Sequence, residues 1–221
     1  DYISPLRFWV KEDQNDRIGM TEVRYIEGLY SMWNELRATH PGLWIDNCAS
    51  GGRRLDLETT SISVPLWRSD ISCRPERGEW QQTQTLGIAQ YLPLFSSGQW
   101  EYDPYQFRSA ANMGVIASFN YLDDSYNLTE ARQAVQEAKV YQKFWYGDFY
   151  PLTEARIGND NLHAWQLHRP DLDAGLVYVF RQIQSPIPSI ELDLRAIDHR
   201  KTYEVTIKYD YNRKETKTLD G

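Results

Sequence analysis

Between Trp44 and Cys73 the chain reads WIDNCASGGRRLDLETTSISVPLWRSDISC. A cysteine, a glycine pair, arginines and several carboxylates stand close together there, and three chemistries compete for them. A phosphate cradle needs glycines that open a helix and a Lys-Ser/Thr after them. Here Asp56 and Glu58 follow Gly51-Gly52, and that lysine is missing. A metal site needs several thiolates or imidazoles at short spacing. Cys48 and Cys73 stand far apart, and His40, His163, His168 and His199 show no paired ligand spacing. No metal is therefore expected. The third chemistry is a pocket for a neutral, hydroxyl-rich ligand. Asp46, Asn47, Cys48, Ser50 and the main chain of Gly51-Gly52 can surround hydroxyls, because glycine lets backbone approach closely. Arg68 and Asp70 are two apart, which in an extended strand turns both to one side. On their types alone they fit an ion pair that ties strand to loop, or a carboxylate placed for proton transfer.

These groups must be carried by the flanking elements. Val23, Ile26, Leu29, Tyr30, Trp33 and Leu36 recur at helical spacing, which predicts a helix from Thr21, as its cap, to His40 before Pro41-Gly42. Leu43 to Ile45 reads as a short buried strand with polar residues at its end, and ISVPLWRSD repeats that design. A helix over Trp80–Leu92, a strand and loop in PLFSSGQWEYDP, a strand over Gly114–Tyr121 and a helix over Thr129–Trp145 complete an alternating pattern. That pattern is the grammar of a parallel α/β sheet, whose ligands sit at the carboxyl ends of the strands. After residue 150 the pattern changes. HAWQLHRP, AGLVYVFRQI, SIELDLRAI and TYEVTIKYDY alternate apolar and polar residues between turns, as antiparallel strands do.

With 221 residues and 41% hydrophobic content, a sizeable core can form. The net charge of −7 opposes nucleic acid and anionic membranes as partners, since both need a basic footprint. No apolar run approaches the roughly 20 residues of a membrane span, and DYISPLRFWVKED is not a signal peptide. Two cysteines fit free thiols in a reducing compartment, which makes a cytoplasmic location the expectation. The sequon Asn127-Leu128-Thr129 also fits a helix start. The strand-like opening without Met, and the final RKETKTLDG read as a strand lacking a partner, suggest a piece of a longer chain. The 8 Trp and 15 Tyr are unusually many; core packing accounts for most of them, and such rings also stack on the apolar faces of sugars.

IDNCASGGRRLDLET followed by VPLWRSD resembles the retaining α-galactosidases of glycoside hydrolase family 36, the melibiase-like enzymes. DPYQFRSA, FWYGDFYPLT and TEVRYIEGLYSMWNELRATHPGL extend the likeness, which runs from residue 1 to about residue 210. The resemblance implies the second half of a (β/α)8 TIM barrel over residues 1–150, then a truncated antiparallel β-sandwich over 151–221. It implies hydrolysis of terminal α-D-galactosides, in oligosaccharides or simple glycosides, with Asp70 as general acid/base and no metal or organic cofactor. Cys48 and Gly51 match positions that line the galactose subsite near the 2-hydroxyl, and Ser50 stands where many members have Gly. Trp67 and Arg68 flank the acid, Arg68 as a hydroxyl donor. Asp1 falls near the family's nucleophile, the first residue of an Asp-x-Asn motif, although the Asn is absent here. Ile71-Ser72-Cys73 replaces the usual polar run after the acid. With the first barrel half missing, the chain alone is expected to be inactive. A non-catalytic carbohydrate-binding or scaffold domain, a family member with another sugar specificity, and a transglycosylase all remain open at this point, as does formation of a homo-oligomer.

Overall fold

Where the chain supplies caps and periodicity, helices form; where proline interrupts a β-prone run, the strand is cut short. The computed structural model describes residues 6–48, 51–74, 76–92, 94–111 and 113–221. The chain divides into two units, Asp1–Asp70 and Ile71–Gly221.

In the first unit α1 (Leu6–Glu12) is a helix where a strand-like run was expected. It precedes α2 (Met20–Thr39), and Trp9 packs on Tyr25 with ring centroids 5.4 Å apart. Gly19, in the left-handed region at φ +91°, occupies the cap position of α2 instead of Thr21. The Asp13 carboxylate accepts from both Gly19 N and Thr21 N, satisfying amides that a helix start leaves open. Of the apolar stripe read from the sequence, only Trp33 is fully buried within the described residues. The segments 43–45 and 62–66 do not form strands. They meet in one parallel bridge, Asp46↔Val64, with Leu43 and Trp44 exposed. The cause is local: a capping box at Asp56 and Thr59 draws Ile62 into α3 (Leu57–Ile62), and Pro65 has no N–H to continue a ladder.

The second unit begins within a 3-10 turn (Asp70–Cys73) and continues with α4 (Gly78–Ile88), β1 (Gly98–Gln99), α5 (Pro104–Ala110) and β2 (Ile116–Ala117). β1 and β2 pair in parallel, a shorter version of the strands expected there. Helix α6 (Leu128–Tyr141) buries Ala131, Ala134 and Ala138, and a 3-10 turn then places Phe144 in the core. Its cap is Asn127, whose side-chain oxygen accepts from Thr129 N and Glu130 N. The antiparallel part is β3 (Asp148–Pro151), β4 (Leu162–Arg169) and β5 (Ala174–Arg181) in one sheet, and β6 (Thr202–Lys208) with β7 (Lys214–Asp220) in another. The fold is thus mixed α/β with antiparallel sheets.

Two expectations for this half are corrected. Lys214–Asp220 is not an unpartnered run, because it pairs along its whole length with β6. SIELDLRAI is not a strand. β4 is buried on both faces from Leu162 to Leu167, with Trp165 and Leu167 turned to the aromatic core around Phe107, Tyr178 and Phe180. On its other face Gln166 exchanges two hydrogen bonds of 2.8 Å with the backbone of Arg195. That amide holds the irregular segment in place as a ladder would. His163 lies on the core face of β4, where Gln182 Nε2 approaches Nδ1 at 3.2 Å. Burial pushes its pKa below the usual histidine value, with the Arg156 backbone opposing in part.

The β6–β7 turn is tied to the helices by charge. Arg108 of α5 donates to both carboxylate oxygens of Glu137 on α6, at 2.7 and 3.0 Å, and to Tyr209 O at 3.0 Å. Tyr211 Oη donates to Tyr102 O at 2.6 Å. Removing one member of a buried pair leaves the other uncompensated. Glu137→Ala is therefore expected to lower the unfolding free energy by about 3 kcal/mol in a urea titration. A change under about 0.5 kcal/mol would place this pair with ordinary surface ones.

Candidate active site

The site is assembled by backbone first. Asn47 N donates to Val64 O and Val64 N to Ile45 O, each at 2.9 Å, which sets the ends of the two interrupted strands side by side. Asp46 Oδ1 accepts from Leu66 N at 3.2 Å. Asn47 is buried, and its amide donates to Arg54 O at 2.9 Å; Thr59 Oγ1 donates to the same carbonyl at 2.6 Å. Arg54 O therefore closes the loop that leaves the first strand end, and α3 anchors it. Sequence reasoning did not single out this brace, although the Asp56-x-x-Thr59 spacing is a capping signal.

Gly51 and Gly52, at φ +59° and +101°, hold backbone that other residues rarely adopt. They also leave room for residues 68–70. A Cβ on Gly51 would lie 2.2 Å from Asp70 N and 2.6 Å from Asp70 Oδ1, and one on Gly52 would lie 2.5 Å from Arg68 O. The glycine pair thus seats directly on that segment. The chain bends at Leu66-Trp67, so Arg68 and Asp70 do not share one side of an extended strand. Arg68 is 2% exposed, and burial pushes its guanidinium down to about 9, still cationic at neutral pH. Asp70 is exposed. Trp67, half-buried, bends back so that its indole Nε1 donates to Asp70 Oδ1 at 3.2 Å.

Of the residues expected to do chemistry, Gly51, Trp67 and Asp70 are in direct proximity, and Arg68 lies beneath Gly52. Cys48 is half-buried at the first strand end, and both cysteines are free thiols. Asp1 and Ser50 lie outside the described residues. Within the second unit, the 3-10 turn that Asp70 opens is held at Ser72. Ser72 O accepts from Trp100 Nε1 at 2.7 Å, and its buried hydroxyl lies 2.9 Å from that of Ser97. Trp100, at the carboxyl end of β1, also went unnoticed in the sequence. Among the described residues no cluster of three or more His, Cys, Asp or Glu gathers as metal ligands would.

No family model matches the chain. Over 200 residues it is 26% identical to the α-galactosidase AgaA of Geobacillus stearothermophilus, covering 84% of this chain and 27% of that protein. Over 188 residues it is 24% identical to α-galactosidase 1 of Pediococcus pentosaceus, covering 79% of this chain and 25% of that protein. The crystal structure of a variant of the Geobacillus enzyme, a GH36 α-galactosidase in complex with raffinose, superposes with a TM-score of 0.69. That match covers 94% of this chain and 32% of the other, at 19% identity. The chain resembles the α-galactosidases. The structural likeness is one of fold, and the chain spans about a quarter of the length of these curated α-galactosidase relatives.

Proposed function

We propose that the chain carries the acid/base half of a retaining hydrolase for terminal α-D-galactosides. The reading is carried by one observation: an exposed carboxylate, Asp70, held at the start of a 3-10 turn against the bare backbone of Gly51. A sugar ring needs such an arrangement, because the main chain can meet its hydroxyls while the carboxyl reaches the glycosidic oxygen. The acidic net charge of −7 suits a neutral substrate. Raffinose, which the Geobacillus variant binds, ends in the α-galactosyl group this reading requires.

In a retaining mechanism two carboxylates stand about 5–5.5 Å apart. Asp70 protonates the leaving oxygen while a second carboxylate attacks the anomeric carbon; Asp70 then deprotonates the water that displaces that carboxylate. Asp1 is the candidate nucleophile within this chain. Cys48, Ser50, Gly51, Trp67 and Arg68 are assigned to the galactose subsite. We assign residues 1–150 to a half-barrel, a reading to which the short parallel pairings β1–β2 and Asp46–Val64 each lend support, and 151–221 to an antiparallel β region, whose strands β4 and β5 share their core with α4, α5 and α6. We place the protein in the cytoplasm.

The test uses the full-length gene product and p-nitrophenyl α-galactoside, with the first-formed sugar followed by proton NMR. Release of α-galactose ahead of its β anomer is expected. Inversion would reject the two-step mechanism. Binding of galactosides without any hydrolysis would instead identify a carbohydrate-binding domain.

A further inference from the structure

The two oxygens of the Asp70 carboxylate are not equivalent. Oδ1 accepts the Trp67 indole N–H at 3.2 Å and lies on the side of Gly51, where an added Cβ would come within 2.6 Å of it. Among the described residues no hydrogen bond is made to Oδ2. An indole N–H only donates, and the carbonyl oxygen of a carboxyl group accepts such a bond more strongly than its hydroxyl oxygen does. A proton on the carboxyl group is therefore favoured on Oδ2 over Oδ1. Resting on the function proposed above, we infer that Trp67 is a positioning residue that directs the working proton of Asp70 to Oδ2.

Both half-reactions then use the same oxygen. Oδ2–H passes its proton to the glycosidic oxygen as the C1–O bond breaks and the nucleophilic carboxylate bonds to C1. The departing alcohol takes that proton, and Asp70 is left anionic with Oδ1 still held by Trp67. In the second step a water oxygen bonds to C1 as the carboxylate leaves, and the water's proton returns to Oδ2. Trp67 touches neither proton. It fixes the plane of the carboxyl group, so one oxygen serves both transfers without rotation about the side chain.

Removing the indole donor should matter only where protonation of the leaving group matters. In the full-length gene product, Trp67→Phe is expected to lower kcat/KM for raffinose about tenfold, the size of a hydrogen bond to a charged group. For 2,4-dinitrophenyl α-galactoside, whose leaving group needs no proton, the drop is about threefold or less. In an Asp70→Ala background the same change should add less than about twofold, since coupled residues are not additive. Benzothienylalanine at position 67 keeps the ring volume and lacks the N–H, so it should reproduce the pattern even if phenylalanine disturbs folding. Equal losses on both substrates, no loss on either, or full additivity with Asp70→Ala would overturn the inference. Retention of raffinose hydrolysis by Asp70→Ala alone would instead sink the functional reading on which it rests.

Discussion

On the function proposed above, Asp70→Ala in the full-length gene product should lower raffinose hydrolysis by about a thousandfold or more, while cleavage of a dinitrophenyl α-galactoside survives its first step and stalls at the second. General acid/base assistance is worth about 10²–10⁴-fold, and a sugar leaving group draws on all of it. An activated phenolate leaves unaided, so the glycosyl-enzyme forms and then waits for water that no base activates. Azide needs no base. It should restore turnover and yield α-galactosyl azide, because it attacks the intermediate from the face that water would use. Failure of rescue, or a β-configured azide, would assign Asp70 a different role. The variant should fold normally, since the exposed carboxylate is not part of the buried core.

The second large effect is expected at Gly51. Alanine in the left-handed region costs about 1–2 kcal/mol, which a protein of this size can absorb. The overlap is the graver fault: a methyl group 2.2 Å from Asp70 N meets backbone, which cannot swing away as a side-chain end could. Either the loop or the acid must shift, and misplacement by about 1 Å can cost about a hundredfold. Gly51→Ala is therefore expected to lose about a hundredfold in kcat/KM. Gly42 supplies the comparison, at φ +87° with open space around an added Cβ. Gly42→Ala should lose similar stability and stay within about twofold in activity. Equal activity losses in both would assign the effect to backbone strain, not to contact with Asp70.

The sequence made the long helices readable because their signals are local. The helical spacing that stops at Pro41-Gly42 and the periodic run from Thr129 fix α2 and α6 within a few residues of where they lie. Strands β4 and β5 were equally plain from alternation and turns. The strand ends that carry the candidate site were harder, since Ile62 and Val64 have strand-forming side chains, yet a cap upstream and Pro65 downstream leave one bridge between them. The pairing of Gly51 with Asp70 was not legible at all. It depends on two positive φ angles in the loop and on a bend at Leu66-Trp67, and an alternating strand would instead have set Arg68 beside Asp70. The resemblance singled out Gly51, Trp67 and Asp70 one by one; the bend is what brings them into contact.

The closure at Arg54 O bears on how such a site can diversify. Asn47 and Thr59 both hold that carbonyl, so the ring from residue 47 to 54 is fastened at its base, independent of what lies along it. Lengthening a closed loop is cheap, about 0.6 kcal/mol for each doubling. With Gly51 and Gly52 kept for the sake of residues 68–70, Cys48 and Arg53 are the described positions of that ring that can be replaced without touching its fastening. On the function proposed above, libraries restricted to those positions should vary the sugar preference without eroding the scaffold, because the fastening is made by residues outside the varied set.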